Sequence, residues 1–299
     1  MHGGGTAGTA AAQHAGRLGW ALALTATYMV AEVVGGVVTG SLALLADAAH
    51  MLTDVGGLAL ALLVVRFAAR EATPQRTYGY LRMEVLSALT NAVVLLLLTV
   101  YILYEAYQRF ASPPEVLSGP MLIVATIGLM VNLISMRLLA GGSSESLNVK
   151  GAYFEVLSDM LGSIGVIVAA LLMMWKGWRL ADPIIGAGIG LFIVPRTWGL
   201  LKQVMHILME GTPPNVDVSA LERKLTAIAG ATAVHDLHVW TVTSGFDAMS
   251  CHLVVADMSM GREALRQARL VMKQDFGINH ITIQVEDDAL RAEEVTLHV

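Results

Sequence analysis

About six apolar stretches, each long enough to cross a bilayer as a helix, fill the first two thirds of this sequence and leave few folds open to it. They run approximately 18–39, 42–67, 83–107, 119–140, 149–175 and 180–201, and each approaches the roughly 20 mostly apolar residues that a spanning helix needs. From about Met209 onward the sequence reads as soluble. A chain that is 55% hydrophobic and only 14% charged, with a mean hydropathy of +0.63, lies outside the range of soluble globular domains. Its formal net charge of -5 offers no basic footprint for a phosphate backbone, so nucleic acid is not expected as a partner. The single cysteine, Cys251, excludes an intrachain disulfide.

Short breaks separate the stretches, and the cations in them are unevenly shared. Arg17, Arg66, Arg70, Arg76, Arg82, Arg137, Lys150, Arg196 and Lys202 fall on one side, and only Arg109, Lys176 and Arg179 on the other. The positive-inside rule then puts both termini in the cytoplasm of a multi-pass protein of the cell (inner) membrane. The expected domains are a disordered Gly/Ala-rich tail over 1–16, a six-helix transmembrane bundle over 17–207, a cytoplasmic domain over 208–290 and a tail over 291–299. The cytoplasmic part shows a helix at 217–228, strands at 234–242 and 248–256, a helix at 262–276 and a strand at 280–285. That αββαβ order predicts a small α+β sandwich of the ferredoxin-like kind.

The second stretch carries His50 and Asp54, four residues apart and so on one helix face. The fifth repeats the spacing with Glu155 and Asp159. Facing each other, two such pairs supply four ligands for a divalent metal in the tetrahedral geometry that zinc prefers. Each ionisable group near a helix centre costs about 2.5–3.5 kcal/mol on insertion scales, so intramembrane acids default to functional sites turned inward. Hydrogen-bonded pairs that merely hold helices together are the bland alternative, and three carboxylates without a nearby intramembrane Lys or Arg suit it poorly. Asp47, one turn before His50, reads equally as a relay acid or a solvated helix cap, while Glu32 and Asn132 read as packing or hydrogen-bonding residues.

The segments Ser41-Leu42-Ala43-Leu44-Leu45-Ala46-Asp47-Ala48-Ala49-His50-Met51-Leu52-Thr53-Asp54 and Leu147-Asn148-Val149-Lys150-Gly151-Ala152-Tyr153-Phe154-Glu155-Val156-Leu157-Ser158-Asp159 resemble the cation diffusion facilitator family. So do Arg76-Thr77-Tyr78-Gly79-Tyr80, His235-Asp236-Leu237-His238-Val239-Trp240 and Ile281-Thr282-Ile283-Gln284, nearest to the bacterial zinc, cobalt and cadmium efflux branch. The resemblance implies homodimers that exchange zinc, cadmium or cobalt for protons. It also implies a cytoplasmic metal site at His235, His252 and Glu286 that binds zinc near the dimer interface, and a charge interlock between Arg82 and Glu210. His238 shares a strand with His235 and by period-two alternation falls on the other face. Glu155 stands where zinc-selective members commonly carry His, which predicts a broader metal range.

An intramembrane metalloprotease needs a general base beside an open metal position, typically in His-Glu-x-x-His, and His50 to Asp54 does not match it. A metal sensor with a helical anchor leaves the intramembrane acids without a role. Manganese or iron transport is the nearer alternative, disfavoured by His50 because hard metals suit oxygen-only sites.

Overall fold

The structure, a computed structural model, describes residues 15–52, 55–56, 72–140 and 147–293. The chain divides into two compact units, one built from the apolar helices and one from residues 72–89 and 202–293 among those described.

The apolar helices are α1 (Ala15–Thr39), α2 (Leu42–Leu52), α3 (Met83–Ala111), α4 (Ser118–Ala140), α5 (Leu147–Lys176) and α6 (Ala181–Leu208), of which the first turns of α3, to Leu89, and the last turns of α6, from Lys202, fall in the second unit. Five of these are long and apolar enough to cross a membrane, which makes the chain a membrane protein together with the family matches reported below. The expected span 42–67 begins as α2 and then passes largely outside the described residues. Helices α3 and α6 run beyond their apolar windows, to Ala111 and Leu208, because polar last turns continue the same backbone hydrogen bonding.

The exterior of the first unit is apolar. Val30, Val37, Leu97, Tyr101, Ile123, Leu191 and Phe192 are all exposed, an arrangement that water would not tolerate and lipid favours. Alanines let the helices approach, with Ala43, Ala125, Ala169 and Ala170 packed among the larger Leu44, Met121 and Val166 in one buried cluster. The interior is the polar part, with Glu32, Asp47, His50, Asn132, Ser135, Asp159 and Ser163 all buried.

The start of α2 is fixed from a distance. Asp182, fully buried at the start of α6, accepts hydrogen bonds from Ser41 Oγ (2.6 Å), Leu42 N (2.8 Å) and Ala43 N (3.1 Å). Ser41 Oγ in turn accepts from Leu44 N at 3.1 Å. The first N–H groups of a helix have no partner of their own, and here a carboxylate 140 residues away supplies one. Arg109 completes the arrangement, donating to Gly40 O at 2.6 Å and lying 3.4 Å from Asp182 Oδ2.

The soluble unit contains α7 (Val218–Thr226), β1 (Ala231–Thr243), β2 (Phe246–Val255), a 3₁₀ turn at Met258–Met260, α8 (Gly261–Asp275), β3 (His280–Glu286) and α9 (Asp288–Glu293). This is the expected αββαβ domain. The sheet order is β1-β2-β3, with β1 antiparallel and β3 parallel to β2. Its core joins Leu221 and Leu225 of α7 with Ala264, Ala268 and Met272 of α8 and the sheet residues Val239, Met249, Cys251 and Leu253. Asp217 caps α7, accepting from Ala220 N. Gly245 supplies the positive φ (73°) that the two-residue turn between β1 and β2 requires.

Candidate metal sites

Inside the helical unit, α2 and α5 bring His50 Nε2 to 3.7 Å from Asp159 Oδ1, with the two residues 5% and 2% exposed. Donor atoms of a tetrahedral zinc stand about 3.4 Å apart, given metal–ligand distances near 2.1 Å, so this separation suits one shared ion. Asp54 lies outside the described residues, and the side chain of Glu155 does as well, although its backbone belongs to α5. Along α5, Glu155 precedes Asp159 by four residues.

A cavity of about 300 Å³ opens beside this pair, lined by Asp47, His50, Ser158, Gly162 and Phe192 among others. Glycine is needed along it: a Cβ on Gly162 would stand 2.2 Å from Asp47 Oδ1. Asp47, 1% exposed, therefore lines the same cavity as His50 rather than capping a helix in solvent. Glu32 and Asn132, read from sequence as packing or hydrogen-bonding residues, are fully buried in the same unit.

In the soluble unit three potential ligands converge. His235 and His252 are direct cross-strand partners on β1 and β2, with ring centroids 5.0 Å apart. Glu286, at the end of β3 and fully buried, lies 2.5 Å from His235 Nε2 and 3.4 Å from His252 Nδ1. One ligand atom from each falls within 4.8 Å of the others. The two imidazole nitrogens and one carboxylate oxygen are a donor set that zinc accepts, with a fourth position left for water or another ligand. Gln284 holds the carboxylate, donating to Glu286 Oε2 at 3.3 Å.

His238 stays outside that cluster, but not through simple alternation. A register shift interrupts β1 between His235 and His238, and Asp236 within it adopts φ 49°. The bulge turns Asp236 so that its carboxylate lies 3.0 Å from His238 Nε2 and 3.9 Å from His252 Nε2.

Arg82 Nη2 donates to Glu210 Oε1 at 2.7 Å. Both groups are substantially exposed. Nearby, Thr243 donates a hydrogen bond to Glu84, and Tyr78 Oη lies 3.4 Å from His280 Nε2.

Two groups escaped sequence reading. Arg109 enters the sequence reading only as one cation of the sparser side and Asp182 not at all, yet they anchor α2 just ahead of Asp47 and His50. The available signal was a carboxylate in the first turn of an apolar helix, followed by Pro183.

A family model for the cation efflux transmembrane domain matches residues 20–209, and one for the cation efflux protein, cytoplasmic domain, matches 213–288. The metal cation efflux system protein CzcD of Cupriavidus metallidurans is 50% identical over 268 residues, covering 89% of this chain and 84% of that protein. A protein named cadmium, cobalt and zinc/H(+)-K(+) antiporter from Bacillus subtilis is 43% identical over 267 residues, covering 88% and 86%. The zinc transporter ZitB of Escherichia coli is 42% identical over 275 residues, covering 91% and 88%.

Proposed function

We propose that this chain, which belongs to the cation diffusion facilitator family, is a secondary transporter that exports zinc, and also cadmium and cobalt, in exchange for protons. The observation that carries the reading is the buried approach of His50 to Asp159 across α2 and α5, inside an apolar bundle. Asp54 and Glu155 complete the set in this reading, giving one nitrogen and three carboxylates to the ion. The names of the relatives, which include divalent-metal efflux and antiport, support the substrate class.

Metal and protons compete for the same ligands, because imidazole and carboxylate bind a divalent ion only when deprotonated. A cavity that opens alternately to each side then converts proton entry into metal release. The four groups titrate as a coupled set, so no single residue owns the exchanged protons. In this reading the transmembrane domain covers 17–207 and the cytoplasmic domain 208–290, with both termini in the cytoplasm and the protein in the inner membrane. The working unit is a homodimer, consistent with the family's cytoplasmic-domain match. His235, His252 and Glu286 hold a regulatory zinc there, and Arg82 with Glu210 steadies the dimer.

Reconstitution tests the core of this. Wild-type protein in sealed vesicles should take up zinc with counter-movement of protons, and Asp159→Ala or His50→Ala should abolish uptake while the protein still inserts. Normal flux in either variant would remove the site assignment.

A further inference from the structure

We infer a second intramembrane cation site, oxygen-only and separate from the metal ligands, in which Glu32 and Asp47 hold the monovalent counter-cation that the metal displaces. The inference rests on the transport reading above and adds to it where the counter-cation sits.

Glu32 on α1 and Asp47 on α2 are 0% and 1% exposed. They lie within side-chain interaction range of each other, and Asp47 also of Ser163. Tyr28 Oη donates to Glu32 Oε1 at 2.9 Å, which leaves Glu32 Oε2 and both oxygens of Asp47 without a hydrogen bond of normal geometry among the described residues. Asn132 spends its amide nitrogen on Ser163 Oγ at 3.5 Å, and its buried oxygen has no partner. Three carboxylate oxygens, Glu32 Oε2 and both of Asp47, are thus buried together, with the Ser163 hydroxyl as the one hydroxyl beside Asp47 among the described residues. Buried polar groups are ordinarily satisfied, and an orphaned carboxylate in an apolar bundle is among the costliest exceptions.

The bundle is cut to fit this cluster. A Cβ on Gly128 would fall 1.9 Å from Tyr28 Oη, and one on Gly162 2.2 Å from Asp47 Oδ1. Neither polar group has room unless the facing residue is glycine, so the cluster is seated by design of two neighbouring helices. The charged or titratable groups that face Glu32 are Tyr28 on its own helix, Asp47 on α2 and Asp159 on α5.

The donor set selects the ligand. With no imidazole or thiol present, it favours a hard cation or a proton over zinc, for which the adjacent His50 is better placed. Asp47 borders the cavity at His50, so an ion at this site has a route to the metal position. Glu32 also interacts electrostatically with Asp159. A cation between Glu32 and Asp47 and a divalent ion on Asp159 therefore repel one another strongly in a poorly screened interior. That mutual exclusion is a coupling free energy between two sites.

The test uses full-length protein in vesicles, comparing wild type, Glu32→Gln and Asp47→Asn. Zinc uptake is measured under an outward proton gradient in choline medium, under an outward potassium gradient at symmetric pH, and under neither. Wild-type uptake should rise about tenfold under one gradient, the size of a typical two-site coupling, and the effective gradient identifies the ion as proton or potassium. Glu32→Gln and Asp47→Asn should lose that acceleration, and their zinc affinity by calorimetry should no longer fall as the counter-cation concentration is raised, as it does about tenfold in wild type when the two sites exclude one another. Calorimetry also shows that the variants are folded. A Glu32→Gln protein accelerated like wild type would overturn the inference, as would a tenfold loss of zinc affinity, which would place Glu32 among the metal ligands. Wild-type uptake indifferent to both gradients would overturn it too. Should wild type move no zinc at all, the transport reading fails first. The site is then decided by titrating zinc into detergent-solubilised protein with a pH dye and a potassium electrode: counter-cation release present in wild type and absent in Glu32→Gln sustains it, and equal release removes it.

Discussion

Cys251 lies in β2 beneath α8, 1% exposed, and burial pushes its thiol up to about 12. The thiolate that unfolding would release at ordinary alkaline pH is therefore suppressed in the native domain. Because the folded pKa lies above the unfolded one, this group's contribution is intact below about pH 8.5 and lost as pH rises toward the folded value. Urea unfolding of the full chain followed by soluble-domain fluorescence should show a midpoint that falls above that pH, less so in Cys251→Ala, and a thiol reagent at pH 8 should label Cys251 only after denaturation. Glu155 makes a different prediction from charge and denticity. A carboxylate binds through one oxygen or two and adapts to cobalt or cadmium more readily than a rigid imidazole. Glu155→His should therefore narrow uptake toward zinc, and unchanged ratios among the three metals with zinc flux retained would show that this position does not set the range. Residue types and spacing made both positions visible in the sequence. Asp236 was not: period-two alternation assumes a regular strand, and only the fold shows that a left-handed residue interrupts β1 between His235 and His238.

Helix α2 illustrates what an element's sequence carries and what it omits. Its apolar run and polar face were legible because hydrophobic length and helical spacing are local properties. Its anchoring was not, since the cap comes from Asp182, which becomes a neighbour only after α6 folds back. The soluble domain was legible for the same local reasons, with strand and helix periods alternating cleanly and Gly245 marking the turn, whereas the convergence of His252 with Glu286 depends on parallel pairing of β2 with β3. A buried pair broken by removing one partner is strongly destabilising, about 3–5 kcal/mol. Asp182→Ala should thus lower the thermal midpoint of detergent-solubilised protein clearly, and Asp182→Asn less, because the amide oxygen still accepts from Leu42 or Ala43. Zinc uptake should fall in the same order, since Asp47 and His50 sit within the first three turns that the cap holds. Equal midpoints for Asp182→Ala and wild type would show that the remaining packing of α2 suffices.

At the scale of the whole molecule the question is what one ion pair can do for an assembly. Arg82 and Glu210 meet at 2.7 Å, but their side chains are 39% and 60% exposed, and a pair so solvated contributes only about 0–1 kcal/mol within one chain. A larger effect of reversing either charge would mean that the pair works where water is thinner, as at a contact between two copies. Glu210 also sits at φ 57°, following a helix end closed by the Gly211 N to His206 O bond at 2.9 Å. That conformation costs any side-chain-bearing residue a comparable amount, so Glu210→Arg changes charge without changing backbone strain. Arg82→Glu and Glu210→Arg should each lower the dimer fraction measured by light scattering at dilute protein concentration, and the double reversal should restore part of it. The restoration is the informative quantity, because residues in contact show an interaction energy that distant ones lack. Raising salt should shrink the single-variant defects and the recovery together, as screening predicts for exposed charges. Two defects that simply add, at any salt, would show that Arg82 and Glu210 act on the dimer independently, and the interlock would have to be sought in other residues.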